Sequence, residues 1–195
     1  MVFQRRTYAV LLVSSSEKFI QATSSLLPPT DYYPVTVTRS AGEARREALE
    51  RNFDLILINA PLPDEFGSNL AVDLCTTSNA GVLLFVKAEA YEDIYSKVME
   101  NGVMVMAKPT SAVMITQSLH IMCAAREKMR IMEQKQATVE EKIKEIRLIN
   151  RAKWLLIEYM GITEAEAHHY IEKRAMDERI SKIETAETII RTYSR

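Results

Sequence analysis

Short, continuous apolar runs alternate with amphipathic stretches over the first part of the chain, and a longer helical rhythm follows. The runs are residues 8–13 (YAVLLV), 33–38 (YPVTVT), 54–59 (DLILIN), 82–86 and 103–107. Each is short, aliphatic and β-branched without polar alternation, the pattern of parallel strands covered on both faces. Between them lie helix signals. Ser16-Glu17 opens a stretch with Phe19, Ile20, Thr23 and Leu26-Leu27 at helical spacing, closed by Pro28-Pro29. Ser40 with Glu43 reads as a capping box for a helix to about Arg51, and further helices are expected near residues 70–75 and 91–99. Five strands separated by single-helix crossovers predict a doubly wound α/β domain with a five-stranded parallel sheet.

After Lys108-Pro109 the rhythm changes. Thr110 or Ser111 can cap a helix that meets no Gly or Pro until Gly161, roughly 70 Å at 1.5 Å per residue. With Ile115 as position a, the a and d places are Ile115, Ser118, Met122, Ala125, Met129, Met132, Gln136, Val139, Ile143, Ile146 and Asn150. Most are apolar over about five heptads, the pattern of a dimeric coiled coil, and polar Gln136 and Asn150 at a suit the fixing of register. The seam is therefore expected along Met122, Met129, Met132, Gln136, Val139, Ile143, Ile146 and Asn150. Two helix starts follow, because Thr163–Glu166 and Ser181–Glu184 both have capping-box spacing, and Ile162 is placed to staple against Ala167. The expected organisation is an α/β domain over 1–125, a coiled-coil helix over 111–150, and an all-α three-helix module over 139–195.

Bulk properties narrow the function classes. Of 195 residues 47% are hydrophobic, enough for packed cores, and 25 basic against 26 acidic residues give a net charge of −1. No global charge therefore draws the chain to nucleic acid or membrane, and any such binding rests on a local patch. Cys75 and Cys123 lack metal-ligand spacing and fit a reducing compartment. The N-terminal apolar run is too short for a signal sequence or a membrane span, so a cytoplasmic protein is expected. No carboxylate pair, metal cluster, phosphate loop or nucleophile constellation supports an enzyme, and no cofactor or metal is expected.

In a doubly wound sheet a site lies outside the carboxyl ends of the strands. Those ends carry Ser14, Ser15, Asn59, Val86 or Lys87, and Lys108. With Pro63 and Gly67 after the third strand, Gly102 before the fifth and Lys108-Pro109 after it, residues 7 to about 125 resemble a response-regulator receiver domain. The resemblance implies an acidic pair after strand one, a phosphorylated Asp ending strand three and a Thr or Ser ending strand four. Here Ser14 and Ser15, Asn59 and Val86 stand in those places. An amide cannot form an acyl phosphate and serines are poor Mg²⁺ ligands, so a pseudo-receiver is expected, with Lys108 in a structural role. Asp64 and Glu65 lie in the following loop and are read as a turn and helix start, with phosphorylation there left open.

The final residues resemble the ANTAR domain, an RNA-binding antitermination module. The resemblance rests on Ala152-Lys153, Leu156, Gly161, Glu164, Ala167, Ile171, Arg174, Ala175, Met176, Ala186 and Ile189-Ile190. It implies recognition of paired stem-loops in nascent leader RNA, whose loop bases are the readable part of the molecule. Trp154 departs from the small residue usual there and is read as a helix-packing residue, with an exposed stacking surface as the alternative. Leu155, Leu156, Tyr159, Tyr170, Ile171, Ile183 and Ile190 are the expected small core. Candidate RNA contacts are Arg151, Lys153, His169, Tyr170, Lys173, Arg174, Arg179 and Lys182, with His168 an alternative to His169 for stacking. The expected function is a dimeric antiterminator, with RNA, a second copy and a sensor protein as candidate partners and no membrane. The alternative is an adaptor whose helical tail docks another regulator without RNA.

Overall fold

The computed structural model describes residues 6–193; the first five residues and last two, which the expected domain limits include, lie outside them. The order is β1 (Tyr8–Val13), α1 (Glu17–Ser24), β2 (Tyr32–Thr38), α2 (Ala41–Glu50), β3 (Leu55–Asn59), α3 (Ser68–Thr77), β4 (Gly81–Lys87), α4 (Tyr91–Val98) and β5 (Met104–Lys108). Then come α5 (Ala112–Met160), α6 (Glu164–Glu178) and α7 (Lys182–Tyr193), while two 3₁₀ turns flank α4. The chain forms two compact units, through Arg130 and from Ile131 onward, and α5 contributes to both. The boundary thus falls a turn beyond the 1–125 limit expected from sequence.

In the first unit every strand pair is parallel, in the order β2-β1-β3-β4-β5. The alternating pleat divides the apolar runs between two cores. Leu11, Val13, Ile56, Ile58, Leu84 and Val86 face the side covered by α2, α3 and α4. Val10, Leu12, Leu55, Leu57, Leu83 and Phe85 face α1 and the start of α5. Ile115, Leu119 and Met122 of α5 complete this second core, and Met122 is only 2% exposed. Met122 therefore belongs to the core of the α/β unit and not to the expected seam, because the same heptad positions at the helix start serve the sheet.

Local chemistry sets the element ends. Ser16 Oγ accepts from Phe19 N at 3.4 Å to cap α1, and the helix ends at Ser24, so Leu26 and Leu27 pack from the following turn and not from the helix. Ser40 caps α2 through Glu43 N (3.2 Å), but the Glu43 carboxylate accepts from Arg39 N (2.8 Å), one residue upstream of a true capping box. Gly67 opens α3 at φ 104, and a Cβ there would also meet Ile58 Cγ2 at 3.3 Å.

The second unit is built on the end of α5. Gly161, at φ 67, turns the chain out of that helix. Thr163 N donates to Glu166 Oε2 (2.8 Å) while Glu166 N donates to Thr163 Oγ1 (3.3 Å). Ser181 and Glu184 exchange the same two bonds at 2.8 and 3.1 Å. The core is Ala152, Leu156, Ala167, Ile171, Ala186 and Ile189, with Ile162, Tyr170, Ile190 and Tyr193 packed against it. Three alanines among six core residues let the helices approach closely, and a core this small is marginal by itself. Three residues of the expected core fall outside it: Leu155 and Ile183 are half-buried but not packed on this cluster, and Tyr159 is 57% exposed with its ring 5.3 Å from that of Tyr193. Trp154 is 70% exposed and is not packed between helices.

Candidate functional site

The carboxyl end of the sheet carries one group of chemistry-bearing residues. Strand alternation places Ser14, Asn59, Lys87 and Lys108 in phase with the β1, β3, β4 and β5 residues that face α1 and α5. Lys108 Nζ donates to Asn59 Oδ1 at 2.5 Å and to the Ala60 carbonyl at 2.6 Å. An ammonium can only donate, so Asn59 must present its oxygen to Lys108, and its Nδ2 then donates to Ser14 Oγ at 2.9 Å. Ser14 also accepts from Ser16 N at 3.1 Å and is fully buried. These bonds form a chain that links β1, β3 and β5 through Ser14, Asn59 and Lys108.

Two of the sequence assignments change. Val86 does not face this end of the sheet. It has the opposite phase, is fully buried and packs in the core beneath α3 and α4. Lys87 is the β4 residue in phase with Asn59 and is the register partner of Lys108. The error is one residue long, and in a strand one residue changes the face. Ser15 is exposed and has no part in the chain of bonds. Burial first, and then Lys87, push the Lys108 pKa below the ordinary lysine value.

The loop carboxylates have other duties. Asp64 accepts from Ala41 N and Gly42 N, both at 2.9 Å, and these amides at the start of α2 hold its carboxyl below the usual range. Glu65 binds Arg45 at 2.9 Å and accepts from Leu70 N at 3.0 Å.

Sequence reasoning missed a cluster at the opposite end of the sheet. Asp54, just before β3, accepts from Ala9 N (3.0 Å) and pairs with Arg130 and, at 3.5 Å, with Arg126 Nε. Arg130 also binds Glu127 at 2.7 Å and lies over the Tyr8 ring, 5.9 Å from its centroid. The side chains of Asp54 and both arginines are each only 13% exposed. The one signal in the sequence is the Arg126–Arg130 spacing on a helix, which names no partner at position 54.

In the second unit the candidate cations divide into two groups. Lys153 binds Glu164 (2.8 Å), Arg174 binds Glu178 (2.7 Å), and Lys182 binds Glu172 (2.5 Å). Lys153 and Lys182 draw the pKa values of Glu164 and Glu172 below the usual carboxylate range, and Glu178 raises that of Arg174. Among the described residues Arg151, Lys173 and Arg179 have no ion pair, and all three are exposed. Tyr170 is half-buried against the small core, and His168 lies 3.4 Å from Glu172. His169, Lys173 and Met176 are spaced along the exposed side of α6, away from the buried Ala167, Ile171 and Ala175. The structure thus leaves Arg151, Lys173 and Arg179 exposed and ties down Lys153, Arg174 and Lys182 among the candidate RNA contacts.

The α5 residues from Met129 onward form a separate feature. Met129, Met132, Val139, Ile143 and Ile146 are all at least 43% exposed, and Gln136 and Asn150 are exposed between them. Trp154, four residues after Asn150 and eleven after Ile143, continues this side of the helix. Among the described residues no helix is long and apolar enough to cross a membrane, and no group of three or more metal-ligating side chains is gathered.

Comparison with known proteins agrees with this architecture. Residues 137–190 match the model of the ANTAR domain. The Transcriptional regulatory protein PdtaR of Mycobacterium tuberculosis is 23% identical over 184 residues, covering 93% of this chain and 89% of PdtaR. Among solved structures, the signal receiver domain of an HD domain-containing protein from Pseudomonas fluorescens Pf-5 aligns with TM-score 0.58 and 22% identity, over 67% of this chain and 96% of that one. The chemotaxis response regulator CheY4 of Vibrio cholerae aligns with TM-score 0.53 and 20% identity, over 60% of this chain and 99% of its own. At such identities the two structural neighbours establish the receiver fold alone. The chain thus joins a receiver fold to a C-terminal segment, residues 137–190, that matches the ANTAR domain, and it is similar along most of its length to a transcriptional regulatory protein.

Proposed function

We propose that this protein is a dimeric, RNA-binding transcription antiterminator that acts on paired stem-loops in nascent leader RNA. It is a regulator and not an enzyme, and its receiver fold answers to a partner or ligand instead of a phosphoryl group. The observation that carries the reading is the ANTAR match over 137–190, on a module whose outer surface holds the unpaired cations Arg151, Lys173 and Arg179. Those groups are free to meet phosphates without first breaking an internal ion pair. The paired Lys153, Arg174 and Lys182 would exchange one carboxylate for another anion, at little net gain.

The exposed stripe on α5 supports a second copy as the partner. In the heptad register Lys128 and Lys135 occupy g, and Glu133 and Glu140 occupy e. A parallel, in-register pair sets each Lys128 against Glu133 of the second copy, and each Lys135 against its Glu140. An antiparallel pair would set lysine against lysine and glutamate against glutamate. Parallel pairing presents two ANTAR modules at the same end, which matches two adjacent hairpins and adds avidity to either contact.

Loss of covalent signalling follows from residue chemistry. Asn59 ends β3, and both of its polar side-chain atoms are engaged, by Lys108 and Ser14. An amide is not an acceptor for phosphoryl transfer. Incubation with acetyl phosphate and Mg²⁺ should leave the intact mass unchanged, and a gain of one phosphoryl group would refute this part of the reading.

Gel shifts with one-hairpin and two-hairpin RNAs test the whole. The two-hairpin RNA should bind more tightly, and Arg151→Ala plus Lys173→Ala should weaken it. The double variant should also flatten the salt dependence, by about 0.7 in the log–log slope for each phosphate left without its cation. Equal affinity for both RNAs, or an unaffected double variant, would refute the proposal.

A further inference from the structure

The carboxyl end of the sheet holds two ammonium groups, Lys87 at the end of β4 and Lys108 at the end of β5. Lys87 and Lys108 are register partners on adjacent strands, and like charges set opposite one another in a sheet repel. Lys108 is half-buried, which adds to the cost of its charge. The acids of the nearby loop offer no relief. Both Asp64 oxygens are taken by Ala41 N and Gly42 N, and Glu65 is held by Arg45 and Leu70 N. Among the described residues no carboxylate pairs with either lysine. Ser14 and Asn59, where acids would reverse the sign, are neutral and bonded to each other.

We propose that Lys87 and Lys108, with the exposed hydroxyl of Ser15, form a reversible site for a small tetrahedral oxyanion, bound without a divalent cation. Lys108 spends two of its three N–H donors on Asn59 Oδ1 and the Ala60 carbonyl, which aim the ammonium and leave one donor for the ligand. Lys87 is exposed at the end of β4 and supplies a second, adjustable cation. The ligand is held by charge-assisted hydrogen bonds, and no covalent bond forms. Binding relieves the repulsion between the two lysines, so occupancy stabilises the β4–β5 end of the sheet. The oxyanion is either inorganic phosphate or the phosphate of a small phosphomonoester, since both present the same tetrahedral face. This inference rests on the reading that Asn59 takes no phosphoryl group, which the intact-mass experiment tests separately.

The test uses the full chain labelled with ¹⁵N, titrated with inorganic phosphate and separately with glycerol 3-phosphate, in EDTA and at constant ionic strength set with chloride. The Asn59 side-chain amide should shift saturably with phosphate and not with chloride. Lys87→Ala, a change at an exposed side chain, should weaken binding about tenfold, as expected for one charged hydrogen bond. Lys87→Arg should retain it. Tighter binding of glycerol 3-phosphate identifies a phosphomonoester as the source, and tighter binding of inorganic phosphate identifies the free ion. Shifts no larger than those from chloride, a requirement for Mg²⁺, or equal binding by Lys87→Ala would overturn the proposal.

Discussion

Replacing Asp54 by Ala removes the centre of the cluster that joins the start of β3 to α5. The side chain accepts from Ala9 N at 3.0 Å and faces Arg126 and Arg130, and all three charged groups are 13% exposed. Removing one partner of a buried pair costs about 3–5 kcal/mol, because the remaining charge loses its compensation. Two features reduce that figure here. The cluster is not fully buried, and Arg130 keeps Glu127 at 2.7 Å and the face of Tyr8. The unsatisfied amide of Ala9 adds about 1–3 kcal/mol in the other direction. A net loss of about 2–4 kcal/mol is expected. Asp54→Asn, which can keep the bond to Ala9 N but not the charge, should fall between Asp54→Ala and the parent. Urea-dependent hydrogen exchange on the full chain, followed on β1 and β3 peptides, isolates this unit from the helical module. A loss under about 1 kcal/mol would show that Arg126 and Arg130 are satisfied by solvent and Glu127, and would refute the reasoning.

Other perturbations separate the remaining parts of the account. Thr163→Ala and Ser181→Ala should each cost about 1 kcal/mol in the helical module, measured by urea unfolding, since each removes the hydroxyl of a capping box. Backbone bonds to those boxes hold Glu166 and Glu184 below the usual carboxylate pKa, so their contribution is present above the unfolded-state value and is lost as pH falls through the folded one. Far-UV dichroism should therefore show the module losing helix under acid, and less steeply in the doubly capped-out variant. Arg179 closes α6 at φ 54, a left-handed backbone that costs a non-glycine residue about 1–2 kcal/mol, so Arg179→Gly should raise the module's melting temperature while lowering RNA affinity. Ile143→Asn, on the exposed stripe, should shift the protein toward monomer in sedimentation while leaving the exchange protection of β1 and β3 unchanged; an unchanged mass would refute the seam.

The parts of the structure that can be read from sequence are those written in local periodicity. Residues 9–13 and 55–58 are continuously aliphatic and short, as strands covered on both faces are, and Thr163–Glu166 and Ser181–Glu184 form capping boxes as spaced. The failures need information that local pattern lacks. A heptad register does not say where a helix stops covering its own sheet, so Met122 reads as a seam residue although Leu83 and Phe85 lie in the core it completes. Phase at a strand end is lost with a slip of one residue, which puts Val86 where Lys87 stands. Asp54 meets Arg130 across 76 positions, and only the fold brings them together. Trp154 reads as core by its size; its exposed place beside Asn150 gives it a role only if another surface covers it.

That surface is the central claim, and one measurement tests it directly. The native mass of the complex formed with a two-hairpin leader RNA, by light scattering or native mass spectrometry, reports its stoichiometry. Two protein chains on one RNA are expected, with emission from Trp154, the sole tryptophan, shifting to the blue as the chains pair. A complex of one chain per RNA, or no complex, would contradict it.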